Sequence, residues 1–208
     1  MTSAFRFRHL LMALAGLIAA PAHSAVVFQD DFTTATGWSD NRLYSVITYG
    51  GESILGGYNL FGAGAYSSRT IALSGTQTSV DIAFRIYKFD TWDAENFQLY
   101  VDGGLEFSRT FYQYFAGPDE TVFHEPGGAY DNMDSFVDVL VSYATTASSI
   151  TVAFTSTLNQ NPADESWGID NFVLSDDTIE GGGSVPAPET VGLMLLGLAA
   201  LRRRFNPA

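Results

Sequence analysis

Apolar and polar side chains alternate with a period of two along much of the chain between residues 25 and 177. Val80, Ile82, Phe84 and Ile86 alternate with Asp81, Ala83, Arg85 and Tyr87, and Phe97, Leu99 and Val101 with Gln98, Tyr100 and Asp102. Ile150, Val152 and Phe154 alternate with Thr151, Ala153 and Thr155 in the same way. That period sends successive side chains to opposite faces of an extended backbone, so each segment predicts a half-buried strand. Further strands are predicted at Val26 to Phe32, Arg42 to Tyr49, Tyr58 to Phe61, Arg69 to Leu73, Leu105 to Tyr114, Phe136 to Tyr143 and Gly168 to Leu174. Clusters of Gly, Asp, Asn and Ser separate them. About eight to ten strands with no helical periodicity predict an all-β fold, a two-sheet antiparallel β-sandwich or jelly roll spanning residues 25–177.

The two ends follow different rules. Residues 1–24 run from basic Arg6, Arg8 and His9 through apolar Leu10 to Ala20 to small residues around Ser24, the layout of a secretory signal peptide. Residues 178–184 form a glycine-rich linker ending in Gly181, Gly182, Gly183 and Ser184. Residues 185–208 then pass through Pro186, Ala187, Pro188 and Glu189 to an apolar run, Val191 to Leu201, closed by Arg202, Arg203 and Arg204. As a short hydrophobic helix that run covers only ~16 Å of the ~30 Å hydrocarbon core, and the arginines after it favour the cytoplasmic side. A temporary stop in the inner membrane fits this length better than a permanent anchor.

This tail resembles the PEP-CTERM sorting signal of Gram-negative bacteria, with Pro186 and Pro188 as the motif prolines, Ala187 at the place of the central glutamate, and Arg202, Arg203 and Arg204 as the basic cluster. The resemblance implies an exosortase-type processing enzyme as partner, transient inner-membrane insertion, release to the cell surface or extracellular matrix, and an association with extracellular polysaccharide.

Charge narrows the partners. The whole chain carries a formal charge of −13, and between residues 25 and 184 there are 5 Lys or Arg against 22 Asp or Glu. Such a surface excludes nucleic acid as a natural partner, since binding there depends on phosphate neutralisation by bases. The absence of cysteine removes disulfides, thiolate nucleophiles and cysteine-ligated metals. His124 is the one histidine beyond the leader, so a multi-histidine zinc site is excluded too.

Two acidic–aromatic clusters hold the candidate chemistry: Asp90, Trp92, Asp93 and Glu95 between two strands, and Asp164, Glu165, Trp167 and Asp170 at the start of the last one. Carboxylates crowded with almost no base to pair them call for solvation or a cation. Ca2+ is the natural candidate, because it takes six to eight oxygen ligands in irregular loops. The closing segment Trp167-Gly168-Ile169-Asp170-Asn171-Phe172-Val173-Leu174 looks like the last strand of MAM and reelin-type jelly rolls, and the opening Asp30-Asp31-Phe32 is similar to the first strand of such sandwiches. That resemblance implies a structural calcium ligand at Asp170, with Asp31 approaching it from the first strand. The candidate metal ligands are therefore Asp31, Asp90, Asp93, Glu95, Glu165 and Asp170.

For sugar contacts the candidates are Trp92 and Trp167, whose faces suit pyranose rings, and Tyr130 in the long polar stretch Ala116 to Asp134. A rival reading makes Asp93 and Glu95, two apart on an extended segment, the paired carboxyls of a glycan-cleaving enzyme. A third is a structural protein with no specific ligand. The preferred expectation is a non-catalytic surface or matrix protein that binds or organises extracellular polysaccharide, with a structural calcium.

Overall fold

The computed structural model describes residues 24–112, 116–126 and 133–177. The signal peptide, the linker, the sorting tail with Pro186, Pro188 and Arg202 to Arg204, and Tyr130 all lie outside the described residues. The body is a sandwich of two antiparallel sheets of the jelly-roll type, built from β1 (Ala25–Asp30), β2 (Leu43–Val46), β3 (Glu52–Gly56), β4 (Tyr66–Ala72), β5 (Ser79–Asp90), β6 (Asp93–Val101), β7 (Gly104–Tyr112), β8 (Thr121–Phe123), β9 (Asp134–Ala144), β10 (Ser149–Ser156) and β11 (Glu165–Asp176). One sheet has the order β2-β3-β11-β5-β9-β8, with β1 also on β11; the other has the order β4-β10-β6-β7. Among the described residues no helix is long and apolar enough to cross a membrane.

The inward half of each predicted alternation meets in the core. Ile82, Phe84 and Ile86 of β5, Phe97 and Leu99 of β6, and Ile150, Val152 and Phe154 of β10 are buried together. Phe84 packs edge-on to Phe154 with ring centroids 5.0 Å apart, joining the two layers. Burying such side chains stabilises by roughly 1.5–3 kcal/mol each.

Three strand expectations change. Tyr58 to Phe61 is a turn, since Gly56 and Gly57 both take positive φ, and the Leu60 and Phe61 amides bond back to the Gly57 carbonyl. Arg42 to Tyr49 splits into β2 and a short 3-10 turn, Ile47–Tyr49. β3 and β8 were unforeseen; each is short and flanked by glycines or polar residues.

The first and last strands are neighbours, as expected: Asp30 stands opposite Phe172 and Phe28 opposite Leu174. The other end of the same β11 edge pairs with β3, through Gly168 opposite Gly56 and Ile169 opposite Leu55. Gly168 is what allows that closeness, because a Cβ there would lie 2.6 Å from Ile54 Cδ1 and 3.0 Å from the Gly57 nitrogen.

Candidate functional site

The tryptophans are core, not surface. Trp92 and Trp167 are each 0% exposed. Trp167 packs between Phe61 (centroids 4.7 Å) and Phe97 (5.3 Å), and Trp92 packs on Phe111 (5.3 Å) while its indole N–H donates to the Ser166 carbonyl at 3.2 Å. The turn between β5 and β6 contains only Thr91 and Trp92, which folds the ring under the hairpin. Neither face is open to a sugar.

The six expected metal ligands separate into three places. Asp31 is exposed on a turn, where its carboxylate accepts the Thr33 amide (3.1 Å) and hydroxyl (3.1 Å), which hold its pKa below the usual value. Asp30 is the anchoring residue there instead: it accepts the Trp38 indole N–H at 3.0 Å and lies 3.7 Å from Arg69.

The second place is the end of the sandwich where β5 turns into β6 and β11 begins. Asp90 stands opposite Glu165 across the strand pair, and both are buried. Burial first, then Glu95, Asp93 and Asp164, push the Glu165 carboxyl up to about 7. One of its oxygens accepts the Gln160 amide at 3.2 Å; the other is buried with no hydrogen-bond partner. A register shift between Asp93 and Asn96, with Ala94 at φ 72°, breaks the alternation in this hairpin. Asp93 is therefore exposed while Glu95 is buried, its carboxylate taken by the Asp93 amide and by Asn159 Nδ2 at 3.3 Å. The bulge thus gives the two carboxyls different surroundings, one exposed and one buried.

The third place is Asp170, on the outer side of the larger sheet just before a bulge that sets Asn171 at φ 53°. Its two carboxylate oxygens are buried without a hydrogen bond of good geometry. Burial, and then Glu52, raise it to about 7, opposed by the Asn171 amide and by Arg85. Glu52 in turn accepts the Tyr87 hydroxyl at 3.2 Å. Among the described residues no three carboxylate or imidazole groups converge as a metal cage does.

The polar stretch between β7 and β9 serves structure in its described parts. Glu125 is buried and accepts the Tyr44 hydroxyl (2.9 Å) and the amides of Ile47 (2.7 Å) and Thr48 (3.1 Å), tying the stretch to β2. Asp134 accepts the amides of Asp90 and Glu125, both at 2.9 Å, yet burial still raises it to about 7. Lys88, also buried, has its ammonium pK lowered by burial and donates to the Met133 and Tyr112 carbonyls.

A groove of about 340 Å3 lies instead on the outer face of the four-stranded sheet, lined by Tyr66, Tyr100, Gly103, Thr151, Ala153 and Thr155. The register explains it. Thr155 of β10 stands opposite Tyr66 of β4 and Gln98 of β6, and Ala153 opposite Ser68 and Tyr100. Small β10 side chains thus form a floor between two tyrosines that lie two strands and two residues apart, about 12 Å on strand spacings. Tyr66 is 50% exposed. The floor hydroxyls are oriented: Thr155 donates to the Ala65 carbonyl at 2.8 Å, and Thr151 and Thr70 share a bond of 2.9 Å. Their sequence signal was the outward half of the same alternation that revealed the core. Reading it as a site required the strand order.

The chain matches no family model and no curated protein. Among solved structures it is similar to a family GH115 4-O-methyl-alpha-glucuronidase (TM-score 0.45, 12% identity, 75% of this chain and 18% of that one). It is also similar to the K3 cleaved adhesin domain of Lys-gingipain from Porphyromonas gingivalis (0.45, 9%, 73% and 99%) and to a carbohydrate binding module of Cellvibrio mixtus lichenase 5A in complex with cellotriose (0.40, 12%, 74% and 99%). This chain spans under a fifth of the length of the first of these. Nothing about its own ligand follows from likenesses of this size.

Proposed function

We propose that this protein is exported, processed at its tail by an exosortase-type enzyme, and displayed at the cell surface or in the matrix, where its body binds polysaccharide without cleaving it. The observation that supports binding is the groove on the four-stranded sheet: two tyrosines, one half-exposed, flank a floor of threonines and one alanine. Aromatic faces pack on the apolar faces of sugar rings, and hydroxyls exchange hydrogen bonds with sugar hydroxyls. Affinity electrophoresis of the full chain through gels containing single polysaccharides tests it. Retardation by at least one glycan, lost in the Tyr66→Ala/Tyr100→Ala variant with its melting intact, is the expected result. Equal mobility in every gel removes the reading. Intact mass of the protein recovered from its native surface tests the processing, with loss of both ends expected.

In the same reading a structural calcium is held at Asp170 and Glu52, where a buried carboxylate short of well-formed hydrogen bonds lies beside a second carboxylate. Two carboxylates are fewer than Ca2+ takes, so backbone carbonyls and water complete the shell. Excess Ca2+ should raise Tm and a chelator should lower it, because a ligand of the native state adds to the unfolding free energy. Identical melting in both removes the ion from the account.

A further inference from the structure

On β4 the outward positions are Tyr66, Ser68 and Thr70; on β10 they are Thr151, Ala153 and Thr155. β6 contributes Asn96, Gln98 and Tyr100, and β7 faces them with Thr110, Ser108 and the exposed Leu105. On β4, β10 and β6 these positions hold no acid or base, while β7 adds the exposed Glu106 at its bulge and the Asp102 carboxylate of the β6–β7 turn accepts the Thr151 amide at 2.8 Å; among the described residues no base faces the groove. Of the other charged residues of these strands, Asp93 and Glu95 stand at the start of β6, Arg69 lies over Phe28 and beside Asp30, and Arg109 pairs with Asp119 and Glu120. Among the described residues the groove's lining comes from strands and from Gly103 of the β6–β7 turn.

Resting on the proposed polysaccharide binding, we infer that this face takes an internal stretch of an uncharged, extended glycan, lying obliquely across β10 with separate sugar rings on Tyr66 and Tyr100. Three physical points carry it. An acidic polysaccharide would bring carboxylates to a face with no cation to receive them, on a body whose overall field repels polyanions. A neutral chain loses no ionic hydration on landing there. The ~12 Å between the two tyrosines exceeds one hexose ring, so a monosaccharide reaches only one of them.

The test uses the full chain and a matched panel: a neutral β-glucan, a xylan and a galactomannan, against polygalacturonate and alginate, together with an oligosaccharide ladder of the best neutral ligand. The expected result is binding within the neutral group alone, at low and high salt alike, with affinity rising from monosaccharide through the ladder until both tyrosines are spanned. Tyr66→Ala and Tyr100→Ala should each weaken the longer oligosaccharides roughly three- to ten-fold, while Tyr100→Phe keeps most of the affinity. Tyrosine-dependent binding of a polyuronate but of no neutral glycan overturns the inference and leaves polysaccharide binding standing. So does a monosaccharide that binds as tightly as its oligomers. Failure of every glycan, or binding indifferent to both tyrosines, removes the underlying reading as well.

Discussion

The two outer faces of the sandwich are made by the same alternation and end up opposite in character. On the larger sheet the outward side chains of β5 and β9 include Arg85 and Asp138, joined at 2.8 Å, with the guanidinium 4.1 Å from the Phe136 ring. Beside them Tyr87, Phe89 and Phe123 form a second buried aromatic cluster with Val46 and Ile54, and Glu125 fastens the turn after β2. That face is charged, roofed and occupied by its own chain. On the outer face of the smaller sheet β4 and β10 are hydroxyl-rich, and the lining of the groove between its tyrosines is uncharged. The comparison shows that aromatic content alone does not locate a binding face. The aromatics of the larger sheet are spent on each other, whereas Tyr66 and Tyr100 are separated by a floor too small to cover them.

The largest expected effect tests whether the tryptophans belong to the core or to a ligand. Trp167→Ala should cost about 3–5 kcal/mol, as truncation of a large buried aromatic does, measured by denaturant unfolding. A variant of near-normal stability with lost glycan binding would put the site back at the tryptophans. Next is Gly168→Ala, whose added methyl would meet Ile54 and the Gly57 backbone, at about 1–3 kcal/mol. Because it acts where β11 holds the larger sheet to β3, it should lower Tm and leave glycan affinity per folded molecule unchanged.

Glu165→Gln comes third and depends on pH. In the folded protein burial and the neighbouring acids push this carboxyl up to about 7, above its ordinary 4.5, so the folded protein holds the proton more tightly than the unfolded chain does. The parent therefore loses stability as pH rises from about 4.5 through about 7, and the amide does not. The variant should melt higher by an amount on the order of 1–2 kcal/mol at pH 8 and show little gain at pH 4. A gap that is constant with pH, or reversed, would mean that the second carboxylate oxygen is satisfied. Smallest in stability is Thr155→Glu, a partly exposed position expected to shift unfolding by no more than about 0.5 kcal/mol. It should nevertheless abolish glycan retardation, since it places a charge on the neutral floor.

Much of this architecture was legible in the sequence because burial on one face imposes a period of two. Val80 to Ile86, Phe97 to Val101 and Ile150 to Phe154 declared both their conformation and their inward side. β3 escaped because Ser53, Ile54 and Leu55, between two glycine pairs, are too short a stretch to show a period of two. Asp93 and Glu95 were misplaced because a bulge at Ala94 reverses one side chain, and nothing local in Asp-Ala-Glu announces a positive φ. Trp92 and Trp167 were candidates for their ring faces, yet in the fold both indoles are core, and Asp90, Glu95 and Glu165 near them are buried as well. The groove required knowing that β10 lies between β4 and β6, a long-range pairing that periodicity within one strand does not encode.

The most direct test of the central claim is backbone hydrogen–deuterium exchange of the full chain with and without a bound neutral oligosaccharide. Added protection confined to 66–70, 98–103 and 151–155 is the predicted outcome, with the larger sheet unchanged. Protection instead at 44–58 or 119–125, or none at saturating ligand, would contradict the assignment of binding to the smaller sheet.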